Sequence, residues 1–262
     1  ARRILPAATL VALATLLGSV LVLGDVRTAE VTRDVVLVAL FAINWDLAAQ
    51  GADYFAQGAD QSPFQHYWSL AVEEQFYLGW PLLVLGAALL ATRLRGRGVR
   101  RSPALGLLVT AVVAISLAWS VSLTASTPEA AYFTTTTRVW ELAAGAGLAL
   151  LVPRLAALSA GLRTAAGWVG LAGLGLSLWV IDDTSAFPGV VALLPVGATC
   201  LLVAAGTPGS EAGPEAGPGR FAAGRLLGVA PLQWLGDRSY SLYLWHWPVL
   251  VLAEARLGRE PT

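Results

Sequence analysis

The sequence predicts an all-α, polytopic transmembrane helix bundle, and three observations carry that expectation. Hydrophobic residues make up 56% of the 262 residues and charged ones only 13%, whereas an average soluble domain is roughly half apolar and a quarter charged. Mean hydropathy is accordingly high, at +0.65. The apolar residues are also gathered into long runs, and inside lipid a spanning segment without a closed barrel must be helical, because every backbone polar group has to be paired internally.

Taken in order, residues 4–23, 76–92, 103–123, 165–181 and 187–205 each approach the about 20 residues that a helix needs to cross a bilayer. Two shorter runs, 139–152 and 239–253, carry polar groups and bring the expected total to about seven spans. A weaker run, residues 35–43, is too short to cross and is expected to be re-entrant or interfacial. Residues 4–23 exceed a usual signal-peptide core, and no A-x-A-like cleavage site follows them. The opening "ARRILP" has no initiating methionine, so the chain reads as a piece of something longer.

Charge sets the expected orientation. Arg93, Arg95, Arg97, Arg100 and Arg101 crowd one short loop, and Arg154 with Arg163 mark another, while Asp46, Asp53, Asp60, Asp182 and Asp183 lie in arginine-free segments. The positive-inside rule then places the arginine loops in the cytoplasm. Residues 206–225, with a tandem "EAGP", are too rich in Gly and Pro to pack and are expected to form a flexible cytoplasmic loop.

Balanced charge argues against a nucleic-acid partner. The lone Cys200 excludes an internal disulfide and a multi-cysteine metal site. No metal is expected.

Chemistry concentrates in three stretches. In "SPFQHYWSLAVEEQFYLGWP", Ser62, Pro63 and Gln65 form a capping-box pattern that predicts a helix from Pro63. At about 100° per residue His66, Glu73 and Tyr77 then share a stripe, with Ser69 at its edge and Glu74 about a quarter-turn away. Carboxylates entering lipid are costly and usually face a protein or water-filled interior. Pro81 removes a backbone donor and should bend the helix near Tyr77, freeing a carbonyl.

In "TRVWELAAGAG", Arg138 and Glu141 stand three apart on one helix face, which suits an ion pair. In "GDRSYSLYLWHWP", Ser239, Tyr243 and His246 share a face ahead of a second Trp-Pro. The chain has two histidines, one in each of two polar clusters, and either imidazole could act as a general base toward a hydroxyl.

These motifs resemble a known family. "HYWSLAVEEQFYLGWP", "TRVWELAAGAGLAL" and "LGDRSYSLYLWHWPV", in that order, are similar to acyltransferase family 3, the membrane O-acetylases of lipopolysaccharide, peptidoglycan and other glycans. "RRILPA" and "FPGVVALLP" are similar as well, so the likeness covers nearly the whole chain.

The resemblance implies a multi-pass enzyme of the bacterial inner membrane. It would move an acyl group, commonly acetyl, from cytoplasmic acyl-CoA to a hydroxyl of a cell-envelope glycan, with no bound cofactor and with membrane lipid around it. Residues 1–262 would form the C-terminal part of the acyltransferase domain. The family's two preceding spans carry an Arg and a His ten residues apart, and that His is usually given the catalytic role. A fragment without them is expected to be inactive alone.

Carried over by motif position, Glu73, Glu74, His66 and His246 are the catalytic candidates, and Arg138, Glu141, Ser69, Tyr77, Ser239, Tyr240 and Tyr243 the substrate-binding ones. Arg138 would offer positive charge to CoA phosphates or an oxyanion, Glu73 or Glu74 would orient the base or the sugar, and His246 would be a second acid/base or a relay. Tyr67 and Gly79 depart from the family pattern, which favours a small hydroxyl residue and a larger apolar one there.

Two other classes compete. A transporter would use the same ionisable groups as a path, but the expected internal repeat with matched broken helices is not evident. A scaffold would use the glycine face of Gly167, Gly170 and Gly173 for helix contacts and leave the polar motifs unused.

Overall fold

The computed structural model describes residues 4–51, 61–93, 101–207 and 223–258. Among these, every regular element is a helix: α1 (Ile4–Val22), α2 (Asp25–Ala39), α3 (Ile43–Gln50), α4 (Tyr67–Arg93), α5 (Arg101–Ser126), α6 (Pro128–Phe133), α7 (Thr135–Ala156), α8 (Ala160–Val180), α9 (Leu193–Ala205), α10 (Ala223–Leu227) and α11 (Ala230–Leu257). Three stretches, Ile4–Val22, Ala104–Ser126 and Thr135–Ala156, are long and apolar enough to cross a membrane, and α9 is a shorter apolar helix.

The chain divides into two compact units. The first comprises Ala1–Gln75, Phe133–Thr135 and Trp234–Thr262, and the second Phe76–Tyr132 and Thr136–Gln233.

In the first unit, α1 is tied down by tyrosines. The Tyr67 hydroxyl donates to the Ala8 carbonyl at 2.8 Å and the Tyr240 hydroxyl to the Ile4 carbonyl at 3.2 Å. α1 and α11 approach so closely that a Cβ on Gly18 would lie 2.8 Å from Leu252. Tyr67 spans a gap that a small hydroxyl residue could not.

Residues 35–43 are not a separate segment. α2 begins at Asp25 and runs through the charged Arg27, Glu30, Arg33 and Asp34 before a turn at 40–42, where Phe41 takes φ +52°. Hydropathy hid that helix because its first half is polar. α3 follows at once and is clasped from inside by the buried Asn44.

The Asn44 amide donates to the Phe133 carbonyl at 3.1 Å and to the Thr135 hydroxyl at 2.9 Å, and its oxygen accepts from Gln75 at 2.9 Å. Gln75 also donates to the Phe41 carbonyl at 2.6 Å, while its oxygen accepts from Trp45 and Thr135. Both amides therefore use their donors and their acceptor, as a buried network must to be stable.

The helix expected from Pro63 begins four residues later, at Tyr67. Ser62 accepts from the Phe64 amide at 3.1 Å and so caps the preceding turn, not α4. The backbone then closes tighter bonds, from Gln65 to Ser62 and from Tyr67 to Phe64, so residues 63–66 form a turn and α-helical bonding is delayed. α4 runs on through Pro81.

In the second unit, Ser116 of α5 wedges into the first turn of α7, donating to the Thr136 carbonyl at 2.6 Å and accepting from the Trp140 amide at 3.0 Å. It bridges the donor and acceptor that an uninterrupted helix would join directly. The glycine face of α8 packs on α9: a Cβ on Gly170 would lie 2.7 Å from the Ala198 carbonyl, and one on Gly173 3.0 Å from Ala198. That face is spent inside the chain.

The helix expected over 187–205 begins only at Leu193. Its start is pre-empted by a turn, in which Gly189 takes φ +36° and donates to the Thr124 hydroxyl at 3.1 Å. Most of the arginine loop, residues 94–100, lies outside the described residues, as do Asp53, Asp60 and residues 208–222 of the expected flexible loop.

Candidate functional site

The first unit builds its polar cluster around a proline. Pro248 lies inside α11 and has no N–H to give the carbonyl four residues earlier, that of Leu244. Another residue fills the vacancy. His66 Nε2 lies 3.1 Å from the Leu244 oxygen, 178 positions away in sequence.

A carbonyl can only accept, so His66 Nε2 carries the proton and Nδ1 is left with a lone pair. Nδ1 makes no hydrogen bond of normal geometry. The ring is fully buried, edge-on to Tyr67 at 4.7 Å and to Tyr243 at 5.6 Å between centroids.

Burial, aided by the neighbouring His246, pulls the His66 pKa from its ordinary 6.5 down to about 3, against the opposing pull of the Leu244 and Pro63 carbonyls. His66 is therefore a neutral imidazole at physiological pH.

Tyr243 joins the two histidine segments. Its hydroxyl donates to the His66 carbonyl at 2.6 Å and stands 2.6 Å from the Ser69 hydroxyl, which supplies the other proton. Trp247 adds a clamp by donating to the Ser62 carbonyl at 2.9 Å, and Ser62 donates to Asp34 at 2.5 Å.

His246 stands at the open side. Its ring lies 5.7 Å from that of His66 and 5.5 Å from that of Tyr243. Nδ1 is 2.6 Å from the Tyr243 carbonyl and must be the protonated nitrogen, which leaves the Nε2 lone pair outward on an exposed side chain. One imidazole is locked and buried while the other is oriented and available.

The remaining candidates fall out as follows. Glu73 and Glu74 are half-buried, within electrostatic reach of Tyr240. Tyr77 is 51% exposed, so the expected stripe from His66 to Tyr77 does not hold as one buried line. His66 sits in the turn before α4 and does not share its register. The Ser239 hydroxyl donates to the Gly236 carbonyl of its own helix at 2.8 Å, and its side chain is exposed.

Arg138 and Glu141 belong to the second unit and form the expected ion pair, at 3.0 Å. The buried guanidinium also lies over the rings of Tyr132 and Phe187, at 5.0 and 4.7 Å, and donates to the Tyr132 carbonyl at 3.3 Å. A planar guanidinium can fork toward carboxylate or phosphate oxygens and stack on rings at once, which lysine cannot. Among the described residues no three His, Cys, Asp or Glu side chains converge as a metal site.

Sequence reasoning did not single out Asn44, Thr135 or Trp247. An asparagine at the head of a short helix has no motif, and its partners come from distant segments. The one usable signal was Gln75, inside the motif at a boundary with lipid.

Comparison with known proteins adds an independent line. An acyltransferase-domain family matches residues 1–261. A Bacillus subtilis protein named as a peptidoglycan O-acetyltransferase, YrhL, is 33% identical over 96% of this chain and 38% of its own length. The O-acetyltransferase OatA of Staphylococcus aureus is 28% identical over 97% of this chain and 40% of its own length. The peptidoglycan O-acetyltransferase OatA of Listeria monocytogenes is 25% identical over 96% and 39%. The chain thus spans less than half the length of these relatives. No solved structure matches.

Proposed function

Because the chain belongs to acyltransferase family 3, we propose that the protein of which it forms part is a multi-pass enzyme of the bacterial cell membrane. It transfers an acetyl group from acetyl-CoA to a hydroxyl of peptidoglycan or a related envelope glycan. The observation that carries this reading is the pairing of a locked, neutral His66 with an exposed His246, in a chain whose relatives are named O-acetyltransferases.

The chain's own proton acceptor is His246. Its free Nε2 takes the proton of the acceptor hydroxyl as that oxygen attacks the acyl carbonyl; the carbon–sulfur bond breaks, and the imidazolium returns the proton to the departing thiolate. General-base assistance of this kind is worth about 10²–10⁴ in rate. His66 holds α11 at the Pro248 gap, and Tyr243 with Ser69 fixes the distance between the rings.

Arg138, kept oriented by Glu141, offers fixed positive charge of the kind that phosphate oxygens take. Glu73 and Glu74 hold sugar hydroxyls at the same end of α4 as His66. About seven crossings, with the arginine-rich loops cytoplasmic, would give donor and acceptor access from opposite faces.

The test is transfer of labelled acetyl from acetyl-CoA to envelope glycans by membranes containing the full-length protein. Base-labile label above a vector control is expected. Label no higher than the control would refute the reading.

A further inference from the structure

We propose that the second unit contains a lipid-chain site: a cleft of ≈ 350 Å³ between Glu141, Gly145 and Leu148 of α7 and Val196, Cys200 and Val203 of α9 holds one hydrocarbon chain of a membrane phospholipid. This goes beyond acyl transfer and does not depend on it.

Shape points to a linear occupant. Glu141, Gly145 and Leu148 recur at helical spacing on α7, as do Val196, Cys200 and Val203 on α9, so each wall is a stripe about 10 Å long at 1.5 Å per residue. Spread over that length, ≈ 350 Å³ leaves room for a chain.

Chemistry favours an apolar filling. A buried water needs two to four polar partners, and the cleft offers few: Glu141 has one oxygen on Arg138, and the Thr199 hydroxyl donates to the Pro195 carbonyl of its own helix at 2.8 Å. The walls below Glu141 are otherwise apolar, apart from the Cys200 thiol. An empty cleft would forfeit dispersion contacts along every wall.

Depth supplies the occupant. α7 is long and apolar enough to cross a membrane, and Glu141 lies six residues in from its start, about 9 Å along the axis. The cleft therefore runs from near one edge of the hydrocarbon layer toward its middle, where the surrounding solvent is lipid chains. Glu141 is the charged residue of its lining.

The structure also provides a clean variant. A Cβ on Gly145 would meet nothing within 4 Å, so Gly145→Leu fills the cleft without touching backbone; Gly197, exposed on α9 and equally unencumbered, gives the control Gly197→Leu.

The experiment places the full-length protein in phosphatidylcholine vesicles doped with a photoactivatable acyl-chain phosphatidylcholine, and maps adducts by mass spectrometry. Adducts should concentrate on Gly145–Leu148 and Val196–Val203, fall about tenfold in Gly145→Leu, and stay unchanged in Gly197→Leu and on α1. Adducts no denser in the cleft than on α1, or insensitive to Gly145→Leu, would overturn the proposal. So would their displacement by soluble dodecanoyl-CoA, which would make the chain a donor's and not the bilayer's. None of these readouts requires acetyl transfer, so this inference and the proposed function can fail separately.

Discussion

Two polar clusters of the first unit differ in how completely they are satisfied. Around Asn44, Gln75 and Thr135, each amide donor and acceptor has a partner. Around His66 and His246, each ring places one nitrogen on a carbonyl, and His66 Nδ1 has no partner of normal geometry. A closed network holds segments together and has nothing left to exchange. The histidine cluster retains capacity, and in a largely apolar chain retained capacity is expensive unless it is used.

Breaking the closed network should have the largest effect on stability. Gln75→Ala strands the Asn44 oxygen, the Thr135 hydroxyl and the Phe41 carbonyl and should cost about 3 kcal/mol, at about 1–3 kcal/mol per buried unsatisfied group. Thermal denaturation of the detergent-solubilised protein measures this; an unchanged midpoint would show that the network is not a clasp.

Acid should break the histidine cluster next. His66 is depressed to about 3 in the folded protein from 6.5, so between those values the unfolded chain binds a proton that the folded one does not. Stability is therefore fully present above about pH 6.5 and falls by up to about 1.4 kcal/mol per pH unit below it. His66→Gln should flatten this slope between pH 6 and 4 in denaturation curves.

Tyr243→Phe is a smaller perturbation. It removes the hydroxyl between Ser69 and the His66 carbonyl and should cost about 1–1.5 kcal/mol. The expected signature is a roughly tenfold fall in kcat with KM for acetyl-CoA unchanged, because the ring still packs while the inter-ring geometry loosens. The smallest effect should be that of Ser239→Ala, whose hydroxyl serves only its own helix turn; stability should stay within about 0.5 kcal/mol, and glycan acetylation should match wild type.

Much of the fold was legible in the sequence, because hydropathy reports what lipid demands: each of the seven expected runs corresponds to a helix, α1, α4, α5, α7, α8, α9 or α11. The Arg138–Glu141 pair was legible for a similarly local reason, since i, i+3 spacing alone brings the side chains together. α2 was half hidden because charge on its first turns masked a helix that hydropathy could not see. Ser62 caps a turn and not the helix expected from Pro63; the tight bonds after it delay α4 and take His66 out of its register.

The His66–Leu244 contact shows where local reading ends. Pro248 announced that a carbonyl on α11 would lose its donor, and His66 was a visible imidazole, but nothing in the spacing says that one answers the other across 178 residues. The same holds for Asn44, whose partners at Gln75, Phe133 and Thr135 are joined only by the folded chain.

The most direct test of the central claim, that the two histidines are unequal and His246 is the one that handles protons, is labelled acetyl transfer to peptidoglycan by membranes holding equal amounts of full-length wild-type protein or His246→Gln. The exposed position of His246 should leave the folded protein intact. The account predicts at least about a hundredfold loss of transfer in the variant, with an unchanged denaturation midpoint. Transfer at the wild-type rate by His246→Gln would contradict it.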